Sequence, residues 1–258
     1  MSQDYTIREC EATQDFRACA QLMRDVWKSP DLDVTSPMAF VVNRQCGGFT
    51  LGAFDGTGRL LGFSHTLPAR DARHGFYFYS HLLAVDETTQ NSGLGYRLKL
   101  AQRDAALARN ATLIRWTFDP LQARNAHLNL HKLGGIVRRF LVNFYGDLSA
   151  SPLHRGRPTD RLLVDWHLDS AHVRNGLQNK TRSDTPAAVL AIPREIQTLK
   201  TMTEGEAQAW QMRVRAAFQQ HLDAGRYCAG FDKQQNHYLF FHERETERFY
   251  ASSQTPKP

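Results

Sequence analysis

The stretch Leu82-Leu83-Ala84-Val85-Asp86, followed by Gln90-Asn91-Ser92-Gly93-Leu94-Gly95, decides the fold of this chain. An apolar run, Phe76–Val85, enters it. A run with apolar residues at Leu94, Leu98, Ala101, Ala105 and Ala108 leaves it. The first reads as a strand and the second as an amphipathic helix over Leu94–Arg109. A strand, a glycine-bearing turn and a helix start together make an anion site. The first N–H groups of a helix have no partner within it, and the helix dipole adds positive potential there. A ligand with phosphates is the expected occupant.

Outward from this turn the chain alternates strands and helices. Tyr5–Glu9 reads as a strand, and Thr13–Lys28 as a helix capped by Thr13 with Phe16, Cys19, Ala20, Met23 and Trp27 on one stripe. Ser36-Pro37 opens a helix through Gln45, ended by Gly47-Gly48. Phe49–Phe54 and Leu60–Leu67 are strands joined by Asp55-Gly56-Thr57-Gly58, a hairpin signal. Beyond the turn, Thr112–Phe118 is a strand and Arg124–Leu133 a helix closed by Gly134-Gly135. Val137–Val142 and Leu162–Leu168 are further strands. Asn175–Pro186 is polar and reads as a linker. After it, Ala188–Ile192 is apolar, Glu204–Ala224 is a helix, and Tyr227–Phe231 and Tyr238–His242 are short strands. Residues 1–174 are thus expected to form one domain, and residues 187–251 a smaller C-terminal α/β lobe.

Composition narrows the function classes. The 258 residues are ample for a buried core, and 41% hydrophobic with 22% charged residues is ordinary for a globular protein. A net charge of +6 favours an anionic ligand, but Lys and Arg are scattered, so no nucleic-acid partner is expected. Cys10, Cys19, Cys46 and Cys228 show no C-x-x-C spacing, which argues against a zinc ribbon or a disulfide scaffold. No apolar run approaches the roughly 20 residues of a membrane span, and the N-terminus lacks a signal-peptide pattern. A cytoplasmic setting and no membrane partner follow as expectations.

Three phosphate-binding patterns compete for the turn. A Walker loop needs Lys and Ser/Thr after its last glycine, where Tyr96-Arg97 stands; a dinucleotide fingerprint needs a third glycine. The third pattern is Q/R-x-x-G-x-G/A, filled by Gln90, Gly93 and Gly95. It resembles the coenzyme A pyrophosphate loop of the GNAT acyltransferases. Two contexts strengthen the resemblance. Leu82–Asp86 is similar to the end of the family's strand 4. The stretch Arg124-Asn125-Ala126-His127-Leu128-Asn129-Leu130-His131-Lys132-Leu133-Gly134-Gly135 is similar to its second motif on helix 4. The element order from Tyr5 to about Gly146 resembles the whole GNAT core. A narrower resemblance, to a bacterial subgroup of uncharacterised GNAT acetyltransferases, is carried by Trp116–Leu121, Arg124-Asn125-Ala126, Asn143-Phe144-Tyr145-Gly146 and His154-Arg155-Gly156-Arg157-Pro158-Thr159-Asp160-Arg161.

The resemblance implies an α/β (α+β) GNAT fold: a mixed, mostly antiparallel sheet with splayed strands 4 and 5, flanked by helices. It implies an acetyl-CoA or other acyl-CoA cosubstrate and no metal. Leu83, Ala84 and Val85 would pair with the pantetheine arm. Gln90, Asn91, Ser92, Gly93, Leu94, Gly95, Tyr96 and Arg97 would hold the phosphates. Asn125 would bond the pantetheine or cap its helix. The reaction would be acyl transfer to an amine, which needs a base. His81 is the first candidate: alternation puts Tyr79, His81, Leu83 and Val85 on one face, and histidines occupy the places of Tyr79 and His81 in some members. A hydrogen-bonded histidine under the sheet is the competing reading of His81.

Leu130 departs from the family, since many members place a general-acid tyrosine there. Tyr145 is the substitute donor considered, with packing as its alternative. Arg124 and Arg161 are candidate clamps for a substrate carboxylate, because a guanidinium fork matches that shape; surface salt bridges are their commoner fate. His127 and His131 have metal-ligand spacing, but no third ligand suggests itself.

The leading expectation is an N-acyltransferase acting on a small-molecule amine such as an amino acid. A CoA-binding module without catalysis and a protein-modifying acetyltransferase are the alternatives. Monomer and homodimer stay open.

Overall fold

The computed structural model describes residues 4–146, 158–178, 180, 184–193 and 203–243. These form two compact units, Met1–Ile114 and Arg115–Pro258. Of the sequence motifs above, His154-Arg155-Gly156-Arg157 lies outside the described residues.

The first unit runs β1 (Tyr5–Glu9), α1 (Thr13–Trp27), α2 (Pro37–Gln45), β2 (Phe49–Asp55), β3 (Leu60–Asp71), β4 (Gly75–Val85) and α3 (Leu94–Leu107). The strands lie in the order β1-β2-β3-β4, each antiparallel to the next. Next to β4 and parallel to it comes β5 (Leu113–Phe118), whose first two residues close this unit.

Helices cover both faces. Phe16, Cys19, Leu22 and Met23 of α1 and Phe40 of α2 bury against Phe54, Phe63 and Ala84 of the sheet. Apolar burial of this kind stabilises by roughly 25 cal/mol per Å2. On the other face α3 packs closely over Gly62, where a Cβ would lie 2.9 Å from the Ala84 carbonyl oxygen and 3.2 Å from Leu98.

The N-cap of α1 is Ala12, not Thr13, and offers no side-chain acceptor. The Asp15 carboxylate compensates: it accepts the N–H groups of Glu11 and Ala12 at 3.2 and 3.3 Å and two bonds from Arg8. Ser36 and Pro37 start α2 as expected, Ser36 accepting the Ala39 N–H.

The second unit begins within β5 and continues with α4 (Ala123–Ala126), a π-helix (His127–Lys132), β6 (Ile136–Leu141), β7 (Arg161–His167), α5 (Ala171–Leu177), β8 (Ala188–Ala191), α6 (Glu204–Asp223), β9 (Arg226–Asp232) and β10 (His237–His242). Its strand order from β5 is β5-β7-β6-β9-β10-β8. The C-terminal strands therefore extend the sheet of β6 and β7, β9 joining β6 at Cys228 and Val137. Phe218 of α6 packs among Phe140, Tyr238 and Phe240 with ring centroids 5.0–5.7 Å apart. Arg115 and Asp165 form a buried ion pair at 2.6 Å.

Three further expectations change. The segment Arg124–Leu133 is one α-helical turn followed by a π-helix, not one α-helix. The expected linker Asn175–Pro186 gives its first three residues to α5. On α3 the buried positions are Leu94, Leu98, Lys99, Gln102 and Ala106, while Ala101 and Ala105 are half-buried and Ala108, which caps the helix end, is exposed. Two polar residues thus take places that hydrophobicity assigned to alanines. Among the described residues no helix is long and apolar enough to cross a membrane.

Candidate active site

The turn between β4 and α3 is built by local side-chain bonds. Asp86 caps the 3-10 turn Glu87–Thr89 by accepting the Thr88 N–H at 2.9 Å, and Arg59 holds its other oxygen at 2.7 Å. Gln90 donates back to the Val85 carbonyl at 3.3 Å, closing the turn onto the strand end. Ser92 donates to the Thr89 carbonyl at 2.6 Å and accepts from Leu94 N–H at 3.4 Å. Asn91 and Gly93 have φ of 67° and 88°, the left-handed region that Asn tolerates and Gly prefers. Among the described residues, the N–H groups of Asn91, Gly93 and Gly95 have no hydrogen-bond partner. Among the described residues, its two chain neighbours aside, nothing lies within 4 Å of where a Cβ on Gly93 would stand. Three free donors at the start of a 14-residue helix suit a phosphate-bearing group. Arg97, exposed, lies over the Tyr5 ring at 5.5 Å.

His81 sits at a bulge in β4. His65 pairs with Leu82 and Thr66 with Ser80, so His81 has no partner on β3. The bulge changes the faces that simple alternation predicts. Tyr79 and His81 do share the face toward α1 and α2: the His81 ring lies 6.2 Å from His65, whose ring lies 4.4 Å from Phe40 of α2. Leu82 and Ala84 follow onto that same face. Leu83 and Val85 turn to the α3 side, next to where a Cβ on Gly95 would stand. The expected single row of Tyr79, His81, Leu83 and Val85 is therefore broken after His81, because the extra residue of a bulge reverses the alternation beyond it.

His65, which sequence reading passed over, is buried and its Nδ1 lies 2.7 Å from Thr50 Oγ1. Burial first, and the nearby His81 second, push its pKa down to about 3. His81 keeps solvent access as a residue, yet enough protein surrounds the ring for desolvation to hold its pKa below 6.5. Both imidazoles are thus neutral at neutral pH. On the opposite face, Lys99 Nζ donates to Ser80 Oγ at 2.7 Å and to Gln102 Oε1 at 3.1 Å. Gln102 in turn donates to Thr66 Oγ1 and Ser80 Oγ at 2.6 and 3.0 Å. This buried network grips the Thr66–Ser80 pair just before the bulge. Burial lowers the Lys99 pKa to about 7. A helix-period stripe gave no signal for Lys99 or Gln102, since both are polar.

The other predicted residues lie in the second unit. Arg124 and Asn125 are exposed on α4, and its N-cap is Gln122, so Asn125 does not cap the helix. Leu130, in the π-helix, is 1% exposed. Tyr145 and Arg161 meet, the guanidinium carbon 5.1 Å from the ring centre. His127 and His131 stack at 4.8 Å with their planes 19° apart. Near-parallel rings do not converge on one metal ion, and among the described residues no group of three His, Cys, Asp or Glu could hold one.

No family model matches the chain, and no curated protein matches it in sequence. Solved structures do resemble it. A GNAT-family structure from Desulfovibrio desulfuricans shares 14% identity, covering 64% of this chain and 99% of that one, with a TM-score of 0.51. The ribosomal-protein-S18-alanine N-acetyltransferase of Escherichia coli shares 21% identity, covering 65% and 96%, with a TM-score of 0.52. The yncA structure from Salmonella typhimurium, with its cofactor acetyl-CoA, shares 17% identity, covering 65% and 95%, with a TM-score of 0.50. The chain has the fold of the GNAT acetyltransferases, with about a third of its length beyond the match.

Proposed function

We propose that this protein is an acyl-CoA-dependent N-acyltransferase, in first place an acetyltransferase, acting on the amine of a small molecule such as an amino acid. The observation that carries the reading is the turn at Gln90–Gly95, with free N–H groups at Asn91, Gly93 and Gly95 at the start of α3. These would hold the pyrophosphate of coenzyme A, with Gln90, Ser92, Leu94, Tyr96 and Arg97 forming the rest of the cradle. The backbone of Leu83, Ala84 and Val85 and the side chain of Asn125 would hold the pantetheine arm. In this reading residues 1–174 are the acyl-CoA-binding domain and residues 187–251 a smaller lobe.

The bound acyl-CoA supplies an activated acyl group as a thioester. The protein must free the acceptor amine of its extra proton, because an ammonium has no electron pair to attack with. His81 takes that proton: its depressed pKa leaves it neutral, and so able to accept one, at neutral pH. Tyr79 lies beside it on the same face as an orienting hydroxyl. Tyr145 is the candidate proton donor, and Arg124 and Arg161 are candidate anchors for a carboxylate on the acceptor.

The test is turnover. The protein is incubated with acetyl-CoA or succinyl-CoA and a panel of amines, and free thiol is followed. Thiol release that depends on the amine, and that His81→Ala lowers about 100-fold or more in kcat, supports the reading. A second reading, a CoA-binding module without catalysis, is favoured by the buried apolar Leu130 where the family's acid is expected. Tight CoA binding with no amine-dependent thiol release would select it.

A further inference from the structure

The helix α6 lies C-terminal to the stretch that resembles the GNAT core, and it is tied to the loop that carries Tyr145. Asp160 is 2% exposed, so its carboxylate needs partners. Arg215 of α6 donates to both of its oxygens, Nε at 2.9 Å and Nη2 at 2.8 Å. The backbone N–H of Asn143 donates to Oδ1 at 3.0 Å. Asn143, at φ 45°, accepts the Thr159 N–H on its own side-chain oxygen at 3.0 Å. Thr159 Oγ1 accepts the Tyr145 N–H at 2.8 Å, and its carbonyl accepts the Phe144 N–H at 3.0 Å. Arg161 donates to the Asp160 carbonyl at 2.9 Å and lies under the Tyr145 ring. Two short stretches, 143–146 and 159–161, are thereby knotted around one buried carboxylate, and among the described residues the cation paired with that carboxylate is Arg215 of α6.

We propose that Arg215 is a positioning residue: through Asp160 it fixes the Tyr145–Arg161 pair in the place where the acceptor's carboxylate end is held. The inference deepens the function proposed above and rests on its assignment of Tyr145 and Arg161 to the acceptor. It gives the C-terminal helix a role in substrate choice. A buried carboxylate left without its cation loses the pairing that offsets its burial, and the Asn143 and Thr159 contacts arranged around it are released.

The experiment compares the full-length wild type with Arg215→Met, Arg215→Lys and Phe218→Leu. Two readouts are taken: amide hydrogen exchange at Asn143, Phe144 and Tyr145, and KM for an amino acid acceptor against KM for acetyl-CoA. Arg215→Met is expected to speed exchange at those three amides about tenfold or more, the scale of a lost charged hydrogen bond, while Asn91–Gly95 keep their rates. It is expected to raise KM for the amino acid by about tenfold with KM for acetyl-CoA unchanged. Arg215→Lys, which keeps the charge but not the fork, should recover part of both. Phe218→Leu loosens the core of α6 without touching Asp160 and should leave the acceptor KM alone. Unchanged exchange at the three amides overturns the inference. So does an equal rise in both KM values, or a Phe218→Leu variant that moves the acceptor KM as far. A wild type that acylates no amine refutes the proposed function and with it the acceptor role, whereas the exchange readout separately decides whether Arg215 holds the loop.

Discussion

Ser80 and Leu83, three residues apart on β4, both face α3: Ser80 accepts from Lys99, and Leu83 lies 4.0 Å from where a Cβ on Gly95 would stand. Regular alternation would put them on opposite faces. The bulge at His81 reconciles them, and it sends the His81 ring toward His65 while Val85 joins the α3 side. The polar network on one face and the histidine pair on the other flank that one extra residue, and each can be tested.

Lys99 carries a charge that burial disfavours. Its pKa is lowered from 10.5 to about 7, so between these values the unfolded chain binds a proton that the folded chain does not. Stability from this group therefore rises as pH increases through that window, and below pH 7 the full penalty of a buried ammonium is present. Lys99→Met should be least harmful near pH 6. The wild type should gain on it by up to about 1.4 kcal/mol per pH unit between pH 7 and 10.5. Urea unfolding at pH 6 and pH 9 measures this; a difference that does not change with pH would refute it.

His65 works in the same direction at lower pH. With a folded pKa of about 3 against 6.5, it is neutral in the fold where the unfolded chain is protonated. The wild type should lose stability as pH falls from 6.5 toward 3, and His65→Gln should show a shallower loss. Thermal melts at pH 7 and pH 5 are the measurement, and parallel losses in both proteins would count against the burial of that ring.

The two glycines of the turn should respond differently. Gly93 has open space but φ 88°, so Gly93→Ala forces a side chain into the left-handed region at about 1–2 kcal/mol. Gly95 lies within α3 with Val85 at 3.7 Å from its would-be Cβ, an ordinary contact, so Gly95→Ala should leave stability within about 1 kcal/mol. Chemical denaturation of both variants checks the order. CoA affinity, followed by titration calorimetry, should fall in Gly93→Ala as the N–H groups of the turn are displaced.

Arg115 and Asp165 are paired in the core of the second unit at 2.6 Å with side chains 4% and 10% exposed. Breaking such a pair from one side leaves a buried charge. Asp165→Asn should cost about 3–5 kcal/mol, whereas an exposed pair such as Arg174 with Asp169 should be worth less than about 1 kcal/mol. Equal effects of Asp165→Asn and Asp169→Asn on the unfolding midpoint would contradict the difference in burial.

Much of this protein is determined by sequence alone. The Ser36-Pro37 helix start, the Asp55–Gly58 hairpin and the strand–turn–helix at Gln90–Gly95 are local events, set by side chains bonding to backbone a few residues away. The order of elements that matches the GNAT fold follows from them. What only the tertiary structure decided depends on partners distant in the chain. The bulge at His81 exists because β3 pairs with β4 in a shifted register, which no pattern within β4 reveals. Lys99 and Gln102 can be buried because Ser80 and Thr66, far away in sequence, supply their hydrogen bonds, so a hydrophobic stripe along α3 points to the alanines instead. The π-helix at His127–Lys132 and the Arg215–Asp160 lock belong to the same class. Their stability comes from contacts that form only once the strands and helices have assembled.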